Sequence, residues 1–360
     1  MKAIGGLLLV GVMLLFCLTP AAYAEDLQIV DETLDPALFE EKIVVRTPTV
    51  HIVNESGSIG EAVARANPGD RVLVESGTYY ETLDVDRTLE LRGIDTGGGM
   101  PVVCGNGSGS LFTLSGTGIS LDGFVMNGSG ITVLSDRNVI SNNTIIGGDI
   151  MLPVRNGGNS ICDNVLEGGN ITIMSGTVLT VRGNTLLNGS FALYRSYDLM
   201  VRDNLVAGGG LTLVNVVDGA FFNNTISDNP DGCAFDVRRS FCNIIAGNVI
   251  RGCGCGFRTG ESANQVYLNT FVNNTLHVAS VDLSGGCDLW SSPDPVTYLF
   301  NGSAFVGTPG NYWDDHTGTD MDGDGVLEDA YMVGESSGVD QFPLAYPGEE
   351  YTVTYADERP

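Results

Sequence analysis

The sequence predicts an all-β fold, a single-stranded right-handed parallel β-helix of about 9–10 coils, with a short N-terminal capping helix and a C-terminal cap. Three observations carry this. First, asparagine returns at 143, 164, 184, 204, 224, 248 and 269, at intervals of 20, 21 or 24 residues. Second, apolar rows keep step with it. Ile140, Ile161, Val181, Val201, Phe221, Ile245 and Val266 precede it by three, and Ile145, Leu166, Leu186, Val206, Ile226, Ile250 and Phe271 follow it by two. Third, inward pairs follow at seven and nine, such as Ile171/Ile173, Leu211/Leu213, Cys255/Phe257 and Leu276/Val278, with the period of two that marks a strand. A helical solenoid needs a 3.6-residue period and longer repeats. The recurrent asparagine is expected at one bend of every coil, stacking its amide on those above and below and tolerating a left-handed backbone.

In chain order, Lys2, the apolar run Ile4 to Leu18 and Ala22-Tyr23-Ala24 read as a signal peptide, residues 1–24. Cysteine 17 lacks the surroundings of a lipoprotein acceptor. With no second apolar stretch of about 18 residues, no transmembrane span is expected in the mature chain. Residues 25–50, ending near Ile43-Val44-Val45, are a lead-in. Ser58 with Glu61 three residues on forms a capping box for a helix over Ile59 to Ala66, stopped by Pro68-Gly69. It is placed to cover the exposed strand edge at the open end of the coils. The β-helix is assigned to 51–285. Gly93 and Gly123 take roughly the ladder position in the first coils, with Thr96-Gly97-Gly98-Gly99 as an extra loop. At about 4.8 Å per coil the stack is roughly 40–45 Å long. After Cys287 the composition changes; 286–347 is read as a cap carrying both tryptophans, and 348–360 as a tail.

Without Lys2 the mature chain has 16 basic and 44 acidic residues, a net charge of −28. Nucleic acid is excluded as a partner on this balance. Seven cysteines remain, an odd number, in a compartment that permits disulfides. The segments Gly232-Cys233-Ala234-Phe235 and Gly254-Cys255-Gly256-Phe257 align, which stacks Cys233 on Cys255, as a strained disulfide or as thiols. Sequons at Asn54, Asn106, Asn127, Asn142, Asn170, Asn188, Asn223, Asn273 and Asn301 are candidate glycan sites.

Three segments together resemble the exported NosD-like right-handed β-helix proteins found among archaeal surface proteins. They are Pro68-Gly69-Asp70 with Ser76-Gly77-Thr78-Tyr79-Tyr80-Glu81, the Asn-marked coils, and Gly310-Asn311-Tyr312-Trp313-Asp314-Asp315 with its aspartate run. The resemblance implies the pectin-lyase-like fold, whose members include polysaccharide lyases, hydrolases, epimerases and non-enzymatic surface proteins, and a namesake linked to copper supply.

The sharpest local signal is Asp320, Asp322 and Asp324 followed by Gly325, with Glu328 beyond. Hard oxygens at alternate positions of a turn converge on calcium. Position 12 of an EF-hand is Tyr331 here, so a structural calcium loop of another kind, or a plain acidic turn, is expected. For copper, His51, His277 and His316 are far apart and Cys253-Gly254-Cys255 is the compact thiol pair. For catalysis, Asp163 and Asp203 lie two coils apart, about 9.6 Å, beside Arg182 and Arg202; solvated bends explain them equally. An outward row Thr132, Met151, Thr172, Ala192, Thr212, Ala234, Gly256, His277 offers a flat face for an extended glycan. The expected function is that of an exported, non-catalytic structural or carbohydrate-binding protein, with polysaccharide or cell-envelope components as partners. The alternatives are a polysaccharide-modifying enzyme and a NosD-like copper-delivery accessory.

Overall fold

The computed structural model describes residues 46–105, 109–282, 288–334 and 338–353. The chain divides into Met1–Thr47 and Pro48–Pro360, and the coils and their caps belong to the second unit. The signal-peptide reading, the lead-in up to residue 45, Cys287 and Asn106 lie outside the described residues.

Three parallel sheets of twelve, eleven and ten strands, here A, B and C, run the length of the coils. Sheet A extends from β1 (Val50–Val53) to a strand at Ala263–Tyr267, B from Thr78–Tyr79 to Tyr312–Trp313, and C from Leu83–Val85 to Leu276–Asp282. Each strand pairs with its counterpart one coil away, so like residues stack: Ile140 on Ile161, Val181 on Val201, Leu166 on Leu186. All three predicted apolar rows in the regular coils point inward and are buried. The core is therefore a continuous column, roughly 1.5–3 kcal/mol per large side chain removed from water.

Helix α1 (Ile59–Arg65) forms where the capping box places it. The Ser58 side chain accepts from the Glu61 amide. The other half of the cap comes from outside the box. The Glu81 carboxylate accepts from Ser58 Oγ and from the amides of Ile59 and Gly60 at 2.8–2.9 Å. Ile59, Ala62 and Val63 bury the apolar face of the helix on the first coil.

The asparagine ladder is continuous. Each Nδ2 from Asn143 to Asn248 donates to the Oδ1 of the next member at 2.9–3.0 Å. The same Oδ1 accepts that residue's backbone amide. Two details differ from the expectation. The ladder asparagines are not left-handed; the residues before them are (Asn142, Asp163, Gly183, Asp203, Asn223, Gly247 and Leu268, φ 53–68°). Gly123 occupies that bend, and Phe124 takes the ladder place, its amide donating to Asn143. Gly93 is required because a Cβ there would sit 2.1 Å from the Gly123 carbonyl oxygen.

The ladder also runs past the end of the sequence repeat. Asn269 donates to Asn311, 42 residues on, and the Asn311 amide donates to Asp340 Oδ2 at 2.7 Å. A second ladder passes from Asn243 to Asn264 and ends on Asp288 Oδ1. Asparagine passes a hydrogen bond on, whereas an ionised carboxylate only accepts. Both ladders donate toward the C-terminus, so an aspartate terminates each.

The cap packs Trp290 on Phe257 and Trp313 on Phe271. Its antiparallel sheet joins Val296–Phe300, Ser303–Gly307 and Tyr351–Val353, so the cap takes in residues beyond 347.

Sheet C departs from the predicted rows in its last three coils. Thr212 pairs Asp236, which pairs Arg258, which pairs Ala279, while Leu211, Phe235, Phe257 and Val278 form one inward row. Ala234 is fully buried, Leu276 is exposed and His277 is buried, so the outward row through Ala234, Gly256 and His277 is corrected. The cause is the longer bend at 228–232, which delays the strand and shifts every later residue along it.

Candidate functional site

The acidic loop of the cap brings three of its four predicted ligands together. Oxygens of Asp320, Asp322 and Glu328 lie within 4.8 Å of one another. Asp320 accepts from the amides of Gly323 and Gly325, and Glu328 from that of Met321, which closes the loop on itself. Asp324 turns away to Tyr298, whose hydroxyl donates to it at 3.3 Å; desolvation raises both groups above their ordinary values. A second cluster joins His277, Asp314 and Asp315. His277 Nε2 lies 2.8 Å from Asp314, its ring packs against Phe271 and Trp313, and its Nδ1 is buried without a partner. No period of the sequence links 277 to 314, so only the folded chain reveals this cluster.

On sheet C the corrected register exposes a charged patch. Asp236 accepts from Arg238 at 2.8 and 2.5 Å, and Arg258 lies 3.5 Å away. Beside it Cys233 stacks on Cys255 in the predicted register. Both are free thiols in hydrogen-bond contact. That contact, helped by Arg258, brings the Cys233 thiol down to about 7 against burial. Cys255 moves upward for the complementary reason.

Asp163 and Asp203 sit at left-handed bends, 3.7 Å from Arg182 and Arg202 respectively, all four half-exposed. The same left-handed bend is taken by Asn142, Gly183, Asn223, Gly247 and Leu268 in other coils, so the bend itself accounts for a residue at each place without selecting aspartate. Sheet A carries a feature the sequence reading missed. Tyr197, Val217 and Phe241 stack in one outward column. Tyr197 is 53% and Phe241 39% exposed, with Val178 at 63% nearby. Only the strand register places these residues in line, since their intervals of 20 and 24 are shared by every row.

The family described as periplasmic copper-binding protein (NosD) matches residues 109–318. That is more than half of the chain. The chain belongs to the NosD family. No curated protein matches it. Among solved structures, tailspike protein 2 from Escherichia coli O157:H7 bacteriophage CAB120 is similar at 13% identity and a TM-score of 0.51, over 68% of this chain and 42% of the other. The NosD-family chain thus spans less than half of that tailspike, and at this identity the likeness is one of fold. DFA-IIIase from Arthrobacter chlorophenolicus A6, solved without its lid, aligns at 15% identity and a TM-score of 0.43, over 71% and 94% of the two chains.

Copper calls for soft or imidazole ligands brought close together. The three histidines do not meet: His51 faces Asp70, His316 the Asp329 carbonyl and His277 the two aspartates. Among the described residues the Cys233/Cys255 pair is the donor set that fits the monovalent ion.

Proposed function

We propose that this NosD-family chain is an exported β-helix that binds extended, uncharged polysaccharide without cleaving it. The supporting observation is the aromatic column of sheet A. Tyr197 and Phe241 stand two coils apart, about 9.6 Å on strand spacing. A sugar presents an apolar face that stacks on such rings, and a rigid row of rings binds an extended chain at low entropic cost. The large acidic excess repels polyanions, which favours a neutral glycan. Retention on immobilised polysaccharides, with new reducing and unsaturated ends measured in the same samples, tests the proposal. Retention without new ends is expected; cleavage would replace the binding reading by an enzymatic one.

Within the cap, Asp320, Asp322 and Glu328 hold a structural calcium ion in this reading, and Asp324 anchors the loop to Tyr298. Three hard oxygen donors within reach of one another, on a loop with glycine at its sharp bend, support it. Calcium should raise the melting temperature and chelation lower it. An Asp322→Asn variant should lose most of that response, and an unchanged melting temperature on chelation would remove the ion from the account.

A further inference from the structure

We propose that His277, Asp314 and Asp315 hold one zinc ion where the last coil meets the cap, at a site separate from the aromatic column and from the acidic loop. His277 stands on the last strand of sheet C (Leu276–Asp282), and the aspartates directly follow the strand that returns to sheet B at Tyr312–Trp313. Their ligand atoms lie within 4.8 Å of one another. Asp314 Oδ1 is 2.8 Å and Asp315 Oδ1 3.4 Å from the same atom, Nε2 of His277. A ring nitrogen carries at most one proton, which cannot serve two carboxylates at full strength. Tetrahedral bonds of about 2.0–2.2 Å place ligand atoms about 3.3–3.6 Å apart. Asp315 already stands at that separation, and Asp314 reaches it by opening about half an ångström.

Each carboxylate is held by a contact on its far side. Asp314 Oδ2 accepts from the Asn273 amide at 2.7 Å, and Asp315 Oδ2 from the Tyr331 hydroxyl at 3.3 Å. Both Oδ1 atoms are thereby turned toward Nε2, as outer partners orient a metal's ligands. His277 supplies the independent sign. It is 9% exposed and packs against Phe271 and Trp313, yet its Nδ1 has no hydrogen-bond partner. A buried ring with one nitrogen unsatisfied needs a reason, and an ion on the other nitrogen is one. The missing outer contact also sets the strength, at about 10–100-fold below that of a site whose histidine donates to an acceptor. The donors select the ion. Calcium and magnesium take oxygen ligands, whereas imidazole with carboxylates suits zinc. The two carboxylate charges are cancelled by one divalent ion. Asp315, its side chain 59% exposed, leaves the fourth place open to water.

The test is a zinc titration of the full chain against a chromogenic chelator, with calcium present to compete for all-oxygen sites. Cobalt in place of zinc then reports the donor atoms, because thiolate ligation adds an intense near-ultraviolet band that nitrogen and oxygen ligands do not. One equivalent is expected, without that band. His277→Gln and Asp315→Asn should each weaken binding at least about 10-fold, the lower end of what even an outer-shell change costs. Asp320→Asn, in the acidic loop, should bind zinc as the native chain does. Unchanged melting curves of the variants exclude a folding defect. Where His277→Gln does not fold, Asp315→Asn decides, since its side chain reaches the surface. The proposal is overturned if zinc does not bind, if a folded His277 or Asp315 variant binds it as the native chain does, if the thiolate band appears, or if Asp320→Asn abolishes binding.

Discussion

Asn204 shows at the scale of one residue what holds the coils in register. Its Oδ1 accepts from the amide and Nδ2 of Asn184, and its Nδ2 donates to Asn224, Val181 and Arg202 oxygens. Asn204→Ala strands buried donors and acceptors on both sides, at about 1–3 kcal/mol for each unsatisfied group. A loss of at least about 3 kcal/mol is expected in chemical denaturation; a loss under about 1 kcal/mol would mean water replaces the amide. Asp340, at the end of this ladder, is fully buried, and desolvation pushes it up to about 6 despite bonds from Asn311, Trp313 and Phe342. A carboxyl raised from about 3.9 holds its proton more tightly when folded. Its contribution to stability is therefore complete below about pH 4 and declines as pH rises through about 6, by about 3 kcal/mol. The difference in unfolding free energy between the native chain and Asp340→Asn, measured at about pH 4 and about pH 7, should change by that amount in that direction. A pH-independent difference would contradict the assignment. The ladder was legible because one residue type repeats at a fixed period. Its terminators were not: Asp288 and Asp340 are single residues outside the repeat, 24 and 29 positions from their partners.

Among the elements, the strands of the regular coils were legible because the inward apolar rows recur at fixed places from Ile140 to Leu213. Sheet C beyond Thr212 was not. The bend at 228–232 adds residues without interrupting the apolar pattern, and the same letters fit two registers until pairing decides between them. With that register went the charged patch of Asp236, Arg238 and Arg258, hidden in a row that reads as small residues when offset by two. Helix α1 follows from Ser58 and Glu61, yet Glu81 supplies the remaining cap contacts. Its distance of 20 or more residues leaves no local trace. The cap was recognisable by composition, whereas its function as a terminal coil rests on Asn311 and Trp313 returning to sheet B. Loss of the acidic loop's ligands should accordingly loosen the cap without unwinding the coils. Hydrogen exchange in an Asp320→Asn variant should rise at Val326 and Tyr351 and stay unchanged at Ile171 and Leu186. Equal loosening at all four would show that cap and coils unfold as one unit.

For the whole molecule, the coils act as a rigid support that presents different chemistry on different faces. Sheet A offers exposed rings, sheet C a thiol pair beside arginines, and the cap two groups of carboxylates. None of the described helices is long and apolar enough to cross a membrane. The most direct measurement of the central claim compares the native chain with a Tyr197→Ala/Phe241→Ala variant for retention on the neutral polysaccharide it binds, with melting curves alongside. Each ring contributes about 1 kcal/mol of apolar contact, so the double variant should bind roughly 30-fold more weakly while melting as the native chain does. Equal retention by the two proteins, or release of new chain ends by either, would contradict the account.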